Sequence, residues 1–305
     1  MQPEGRTTDS DAVPVGWRAA TDRRPLPRPM TRPSLSGPTC MTYETVTSAD
    51  GTSIAYEVFG AGPLLIAVCG ATCDRALMRP TAQALGEHFT TVNFDRRGRG
   101  DSGDTLPYAV DREIEDIAAL IDQVGGPAHL YGHSSGAGLV LRAVAAGLPV
   151  DEFVLHDPPY SPDDESSRDE ARRYGHTIRS LLAQDRRADA LETFCRLTGM
   201  PDEVIDGMRE THRWAELTAL APTLAYDSAV MGDIESGGAV PEDVAARVPR
   251  PGVVLVGGDS PPFMTEVGRR LAHLLPEGTH HVLEGHGHVV PPEVLAVVVA
   301  EHLRD

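Results

Sequence analysis

Alternation of short apolar runs with longer helical patterns is the feature that most restricts the fold of this chain. The short runs have the length of buried strands, and the segments between them carry apolar residues at helical spacing. This alternation predicts an α/β fold whose sheet is mostly parallel and covered by helices on both faces. The predicted strands are Leu64–Cys69, Thr91–Phe94, His129–Tyr131, Glu152–Leu155, Val253–Val256 and His280–Leu283, and the predicted helices are Leu77–His88, Asp111–Val124, Gly136–Gly147, Met264–Leu275 and Pro292–Leu303.

Two regions depart from this alternation. Near the start, Glu44–Ser48 and Ser53–Phe59 flank the turn signal Asp50-Gly51, which predicts an antiparallel hairpin. Between Asp157 and the strand at Val253 the pattern is helical and holds no convincing strand, so we predict a helical cap at about residues 158–245. The predicted cap helices are Glu165–Ala183, Ala188–Leu197, Asp202–Leu217 and Ala219–Met231.

The first 40 residues differ in composition from the rest of the chain. They are rich in Pro, Arg, Thr, Ser and Asp and show no hydrophobic periodicity. We therefore expect a disordered N-terminal tail over residues 1–40 and a folded domain over residues 41–305. Because Met41 opens the first patterned segment, the tail is equally consistent with an upstream extension from a misassigned start.

The charged residues exclude several classes of function. The chain carries 27 basic and 45 acidic residues, a net charge of −18, and no lysine. Without lysine it has no amine for Schiff-base or P-loop chemistry. Because an acidic surface repels phosphate backbones and anionic headgroups, we expect a small-molecule substrate and neither nucleic acid nor membrane as a partner. Oligomeric state is not indicated by the sequence.

Neither a targeting segment nor a metal motif is visible in the sequence. No apolar run approaches the roughly 18 residues of a membrane span, and the N-terminus lacks the hydrophobic stretch of a secretory signal, so the expected location is cytoplasmic. The cysteines show neither the paired spacing of a zinc site nor the density of a disulfide scaffold. We expect small, buried or partly buried thiols, no metal and no cofactor. The cysteines are Cys40, Cys69, Cys73 and Cys195.

A GxSxG pattern, Gly132-His133-Ser134-Ser135-Gly136, lies directly after a predicted strand and directly before a predicted helix. At such a junction the turn is so tight that it needs small flanking residues, and it projects the central hydroxyl above the sheet. We therefore predict Ser134 as a nucleophile. Ser135 lies one place past the centre of the pattern, and its backbone N–H suits an oxyanion hole.

A serine nucleophile needs a second oxyanion donor, which the loop after the third strand supplies in this architecture. Here that loop is Cys69-Gly70-Ala71-Thr72-Cys73, in which Gly70 permits a sharp backbone turn. We assign the backbone N–H of Ala71 as the donor, with Thr72 as the alternative.

A serine nucleophile also needs a general base, and the position of each histidine narrows the choice. The glycine-rich segment Glu284-Gly285-His286-Gly287-His288 follows the last predicted strand, so it reaches the carboxyl edge where open α/β sheets hold their sites. We favour His288, which is nearer the start of the final helix, over His286. His133, beside the nucleophile, is interpreted as a packing residue or a pocket wall.

With these motifs in place, the chain resembles the α/β-hydrolase fold family, in particular the small capped type common in high-GC bacteria. The resemblance runs from about Met41 to the C-terminus. It implies that Asp95–Ser102 forms a structural turn, so neither Asp95 nor Asp101 is expected to be catalytic. It is carried by Ser48-Ala49-Asp50-Gly51-Thr52, the Asp95–Ser102 segment, the elbow from Gly132 to Gly136, Asp157-Pro158-Pro159 and Gly287-His288.

The resemblance implies an acid that orients the histidine, and the family places it after the sixth or the seventh strand. After the seventh strand, the position normally held by the acid is Ser260 here, and Asp259 stands one place early. After the sixth strand, Asp157 lies at the sheet edge and is followed by two prolines that hold the backbone. We assign Asp157, with Asp259 as the alternative acid and a dyad without an acid as a further possibility.

By this resemblance the chain is a serine hydrolase that acts on an ester, a thioester or a similar small acyl compound through an acyl-enzyme. An elbow serine disfavours relatives with an Asp nucleophile, such as haloalkane dehalogenases and epoxide hydrolases. A cofactor-free lyase, a perhydrolase or a C–C bond hydrolase would keep the same triad. A non-catalytic ligand-binding protein on the same fold is the alternative from a different class.

Overall fold

An eight-stranded sheet forms the centre of the protein, for which a computed structural model describes residues 43–303. The residue 1–40 tail therefore lies outside the described residues. The strands are β1 Glu44–Thr47, β2 Ser53–Phe59, β3 Leu64–Val68, β4 Thr90–Phe94, β5 Ala128–His133, β6 Val150–His156, β7 Gly252–Gly257 and β8 Gly278–Leu283.

The strand order is β1-β2-β4-β3-β5-β6-β7-β8. Strands β1 and β2 pair antiparallel, with Glu44 opposite Tyr56, and β2 pairs antiparallel with β4. All pairings from β4 to β8 are parallel. The predicted α/β-hydrolase fold, with a mostly parallel sheet and an antiparallel start, is confirmed. Because the carboxyl ends of parallel strands meet at one edge, the loops after β3, β5, β6, β7 and β8 converge there.

Helices cover both faces of the sheet, as predicted, because successive residues of each strand point to opposite sides. The helices on the two faces are α1 Arg75–Leu85, α2 Val110–Val124, α3 Ser135–Ala145, α11 Pro262–Leu274 and α12 Pro292–His302. In β6, Leu155 packs into the core beneath α2, α3 and α11, while Val154 packs into the core beneath α1 and α12.

The segment between β6 and β7 is helical, and its own apolar cluster includes Ile178, Leu191 and Leu224. Two of its predicted helices are interrupted. The one predicted over Asp202–Leu217 ends at Arg209 and restarts at His212, and the one predicted from Ala219 contains a 3-10 turn where Pro222 removes a backbone N–H. The elements are α4 Glu165–Ala183, α5 Arg187–Leu197, α6 Asp202–Arg209, α7 His212–Leu220, the 3-10 turn Ala221–Thr223, α8 Leu224–Met231, α9 Asp233–Ser236 and α10 Glu242–Ala245.

The Asp95–Ser102 turn is held by its first residue. The carboxylate of Asp95 accepts hydrogen bonds from the backbone N–H groups of Arg75 (2.6 Å) and Asp101 (2.9 Å). These contacts fix the loop after β4 to the start of α1.

Among the described residues, no helix is both long enough and apolar enough to span a membrane.

Candidate active site

Ser134 occupies the turn between β5 and α3 with a left-handed backbone, φ +56° and ψ −127°. A Cβ on Gly132 would lie 2.5 Å from the carbonyl oxygen of Gly136, and one on Gly136 would lie 2.3 Å from that of Val68. Glycine is therefore required on both sides of this serine. The turn is anchored by the N–H of Ser134, which donates to the carbonyl of His156 (2.9 Å). A non-glycine residue held in such a conformation marks a site that the surrounding structure enforces.

The loop after β3 lies against this serine. A Cβ on Gly70 would approach the Cβ of Ser134 to 2.8 Å and its Oγ to 3.4 Å, so only glycine fits there. The next residues, Ala71 and Thr72, are half-buried, and Thr72 has φ +51°. Ser135 is the first residue of α3, where backbone N–H groups have no partner within the helix. The structure thus brings both predicted oxyanion positions beside Ser134.

A buried set of charged groups, here called the arginine network, holds this loop from behind. Arg99 donates to the carbonyl oxygens of Gly70 (2.5 Å) and Cys73 (3.1 Å), and Arg96 donates to that of Cys69 (3.3 Å). The network consists of Arg96, Arg99, Glu113 and Asp227. Two guanidinium groups therefore fix the direction of the loop carbonyls, and with it the direction of the intervening N–H groups.

Asp227 of α8 connects the arginine network to the elbow. Its carboxylate accepts hydrogen bonds from Arg96 (2.7 Å), from Arg99 (2.8 and 2.9 Å) and from the Ser135 hydroxyl (2.7 Å). Burial alone would raise the pKa of Asp227, but the two guanidinium groups outweigh burial and hold the pKa below its usual value. The carboxylate stays ionised and joins three segments that are distant in sequence.

The arginine network was not predicted from the sequence. One signal was present: Asp227 lies in the otherwise mostly apolar segment Leu224–Met231, and a buried carboxylate requires a cationic or hydrogen-bonding partner. The partner itself could not be read from the sequence.

Asp157 and His288 form a hydrogen-bonded pair at the sheet edge. The Oδ2 atom of Asp157 lies 3.0 Å from Nδ1 of His288, and the carboxylate also accepts from the Ser260 hydroxyl (2.7 Å) and the Gly257 N–H (3.0 Å). Burial alone would raise the pKa of Asp157, but the bonds from His288, Ser260 and Gly257 hold it below its usual value. An ionised Asp157 favours the His288 tautomer with hydrogen on Nδ1, which leaves Nε2 free to accept a proton.

The alternative residues lie elsewhere in these loops. Asp259 is exposed, and its N–H donates to the backbone carbonyl of His286 (2.9 Å). Ser260, at the position where the family resemblance places an acid, donates to Asp157 instead. The structure therefore brings Asp157 to His288, while Asp259 and His286 pair through their backbones.

His133 supports the loop that carries His288. Its Nε2 lies 2.9 Å from the backbone carbonyl oxygen of His288, and the two rings lie 4.5 Å apart, centre to centre. Burial and the neighbouring His288 lower the pKa of His133 to about 4. Because a carbonyl oxygen only accepts, the neutral ring carries its hydrogen on Nε2. The residue before Ser134 is thereby hydrogen-bonded to the residue that pairs with Asp157.

The chain matches the Alpha/beta hydrolase family over residues 60–301. It belongs to that family. An alpha/beta hydrolase from Sphaerobacter thermophilus DSM 20745 is 42% identical in sequence, with a TM-score of 0.76 and coverage of 86% of this chain and 100% of that one.

Two curated proteins are similar to shorter segments of the chain described here. N-formylmaleamate deformylase of Pseudomonas putida is 40% identical over 119 residues, 37% of this chain and 44% of the relative. The 2-(acetamidomethylene)succinate hydrolase of Mesorhizobium japonicum is 38% identical over 89 residues, 28% of this chain and 32% of the relative. The chain thus aligns with less than half the length of either relative.

Within residues 43–303, no group of three or more His, Cys, Asp or Glu side chains is arranged to hold a metal ion.

Proposed function

We propose that this protein is a serine hydrolase of small acyl compounds, with Ser134 as nucleophile, His288 as general base and Asp157 as the acid that orients His288. The observation that carries the proposal is the hydrogen bond between the buried Asp157 and the half-buried His288, which is linked through His133 to a serine on a strained elbow. Acyl transfer on this fold requires a nucleophile, a base and an acid that orients the base, and these occur along the chain in the order Ser, Asp, His.

Each group has a defined step in the proposed reaction. Ser134 Oγ attacks the acyl carbonyl carbon while Nε2 of His288 accepts the hydroxyl proton. The backbone N–H groups of Ala71 and Ser135 stabilise the oxyanion that forms. The protonated His288 gives its proton to the leaving group, and Asp157 stabilises the imidazolium in between. A water molecule, deprotonated by His288, then releases the acyl group from Ser134.

The two curated relatives extend the acyl class beyond esters. One is named for the removal of a formyl group and the other for the hydrolysis of an acetamido compound. Since the mechanism above requires only an electrophilic carbonyl and a leaving group that His288 can protonate, N-acyl compounds are proposed as substrates beside esters and thioesters.

The test combines a covalent probe with a substrate panel. A fluorophosphonate should label Ser134, and labelling should disappear in Ser134→Ala but persist in Ser135→Ala, which keeps the backbone N–H. Turnover of p-nitrophenyl esters of increasing chain length, or of N-formyl and N-acetyl amides, should fall at least about 10³-fold in Ser134→Ala.

Three outcomes would contradict the proposal. Labelling that survives in Ser134→Ala would place the nucleophile elsewhere. Complete inertness of the wild-type protein to the probe would favour a ligand-binding role. Labelling at Ser134 together with cleavage of only carbon–carbon bonds or formation of only peracids would assign the same groups to C–C bond hydrolysis or perhydrolysis.

A further inference from the structure

Two cysteines bracket the loop that faces Ser134. Cys69 follows β3, and Cys73 precedes Asp74, the residue that caps α1. Both cysteines are free thiols, and the Sγ of Cys69 donates to the backbone carbonyl of Cys73 (3.3 Å). The pair therefore closes a short ring whose intervening residues, Gly70 to Thr72, supply the proposed oxyanion donor.

The charges around the two thiols make them unequal. A hydrogen bond from the Cys73 thiol and the nearby Arg99 and Arg96 guanidinium groups lower the pKa of Cys69, although its burial opposes this. The Nη1 atom of Arg99 lies 3.9 Å from the Cys69 Sγ. The pKa of Cys73 is raised by the same thiol contact and by burial. A thiol that loses its proton more readily than its neighbour is the one that begins disulfide formation, so the shift favours Cys69 as the attacking sulfur.

Cys195 of α5 provides an internal contrast. It is buried in the apolar cluster between β6 and β7, and burial together with the carboxylate of Glu192 raises the pKa of its thiol. A protonated, buried thiol of this kind is chemically inert.

We propose that Cys69 and Cys73 are a redox modification site, at which a hydroperoxide converts the two thiols into a disulfide that distorts the oxyanion loop. Cys73 is half-buried and gives the peroxide access to the pair.

The oxidation proceeds in two balanced steps. A thiolate of the pair attacks one peroxide oxygen and the O–O bond breaks, which forms a sulfenic acid and releases the other oxygen as hydroxide from hydrogen peroxide or as an alkoxide from an organic hydroperoxide. The second thiol attacks that sulfur, the S–S bond forms and water leaves. Two electrons pass from the sulfurs to the peroxide.

The effect on the loop follows from bond lengths and rests on the proposed function. An S–S bond of about 2 Å requires the Cys69 sulfur to leave the Cys73 carbonyl oxygen, to which it donates, and to move to the Cys73 sulfur. This draws the ends of the loop inward against Arg99, which holds the carbonyls of Gly70 and Cys73. The N–H of Ala71 then moves away from the oxyanion. Because loss of one oxyanion donor costs about 10²- to 10³-fold in kcat, we expect oxidation to lower kcat at least about tenfold.

The experiment uses the full chain with Cys40→Ser and Cys195→Ala, so that only the pair remains. This protein is treated with hydrogen peroxide, denatured and reacted with a maleimide, and its adducts are counted by mass spectrometry. We expect two adducts before oxidation and none after it, at the monomer mass, with activity lost in parallel and restored by dithiothreitol. Cys73→Ser in the same background should resist the reversible loss, measured against its own untreated activity.

Failure of this proposal is distinguishable from failure of the proposed function, since the adduct count needs no substrate. Two adducts after peroxide treatment, a disulfide without loss of activity, or an equal reversible loss in Cys73→Ser would each overturn the redox site. Absence of any hydrolysis before oxidation would instead refute the proposed function and leave the adduct count to decide whether the disulfide forms.

Discussion

Substitution of Asp227 by Asn tests whether the arginine network supports the active-site loop. Asn keeps the size of the side chain and removes its charge. In the native protein this carboxylate accepts four charge-assisted or short hydrogen bonds, from Arg96, Arg99 and Ser135. After substitution Arg96 still has the carboxylate of Glu113 at 2.6 and 2.8 Å, but the hydrogen bonds that Arg99 keeps are to backbone carbonyls and a thiol.

The expected destabilisation follows from that remaining charge. Arg99 is 1% exposed, so its guanidinium cannot recover water as a partner. Removal of one partner of a buried ion pair costs about 3–5 kcal/mol, because the other charge stays buried without compensation. For a domain of this size, that free energy lowers Tm by at least about 6 °C. Since Arg99 positions the carbonyl of Gly70, we also expect kcat to fall at least about tenfold with little change in KM.

The assay measures thermal unfolding and ester hydrolysis, the latter well below the Tm of the variant. Asp104→Asn is the matched control, because Asp104 is exposed and accepts a hydrogen bond from the hydroxyl of Tyr226, the residue next to Asp227 (2.7 Å). A surface change of this kind should alter the free energy of unfolding by no more than about 0.5 kcal/mol. If Asp227→Asn matched Asp104→Asn in Tm and kcat, the support assigned to the network would be wrong.

Two further predictions concern the acid that pairs with His288 and the loss of stability at low pH. Asp157→Asn should lower kcat at least about a hundredfold and Asp259→Asn less than about tenfold, and the reverse ranking in steady-state assays on folded variants would transfer the role to Asp259. Because the pKa of His133 is lowered to about 4 and that of His156 is also lowered, both by burial, the unfolded chain binds more protons below about pH 6.5. Stability should therefore be complete above that pH and fall toward pH 4, and thermal unfolding of His133→Gln should show a smaller fall between pH 7 and pH 5; an unchanged pH dependence would contradict this origin.

Local patterns explain which parts of the structure could be predicted from the sequence. The strands and the elbow glycines could be predicted from the sequence. Buried strands need continuous apolar runs, and the Ser134 turn admits only glycine at positions 132 and 136. The break at Pro222 was readable in principle, since proline lacks the N–H that a helix interior uses.

Contacts between distant segments could not be predicted in this way. Asp227 lies 128 residues from Arg99 and 92 from Ser135, and no periodicity encodes such a pairing. The sequence also left open whether Asp157 or Asp259 pairs with His288. The answer depends on whether the loop after β6 or the loop after β7 turns its carboxylate toward that histidine. In the structure the family position after β7 carries Ser260, whose hydroxyl completes the hydrogen bonding of Asp157.

The backbone conformations at the site explain why these distant contacts are needed. Within residues 43–303, non-glycine residues with positive φ are Thr72, Ser134, Asp157 and Asp185, and three of these four lie in the loops that meet at the candidate site. Each such conformation costs about 1–3 kcal/mol and persists only where the surrounding structure imposes it, and the cost of three together approaches the stability of a typical domain. The restraints match the strained positions: His156 accepts from the N–H of Ser134, and Gly257 and Ser260 hold Asp157. Thr72 is the only β-branched residue of the four, and it is restrained by the hydrogen bonds that Arg99 donates to the carbonyls of Gly70 and Cys73. The position of Arg99 depends in turn on the charge of Asp227.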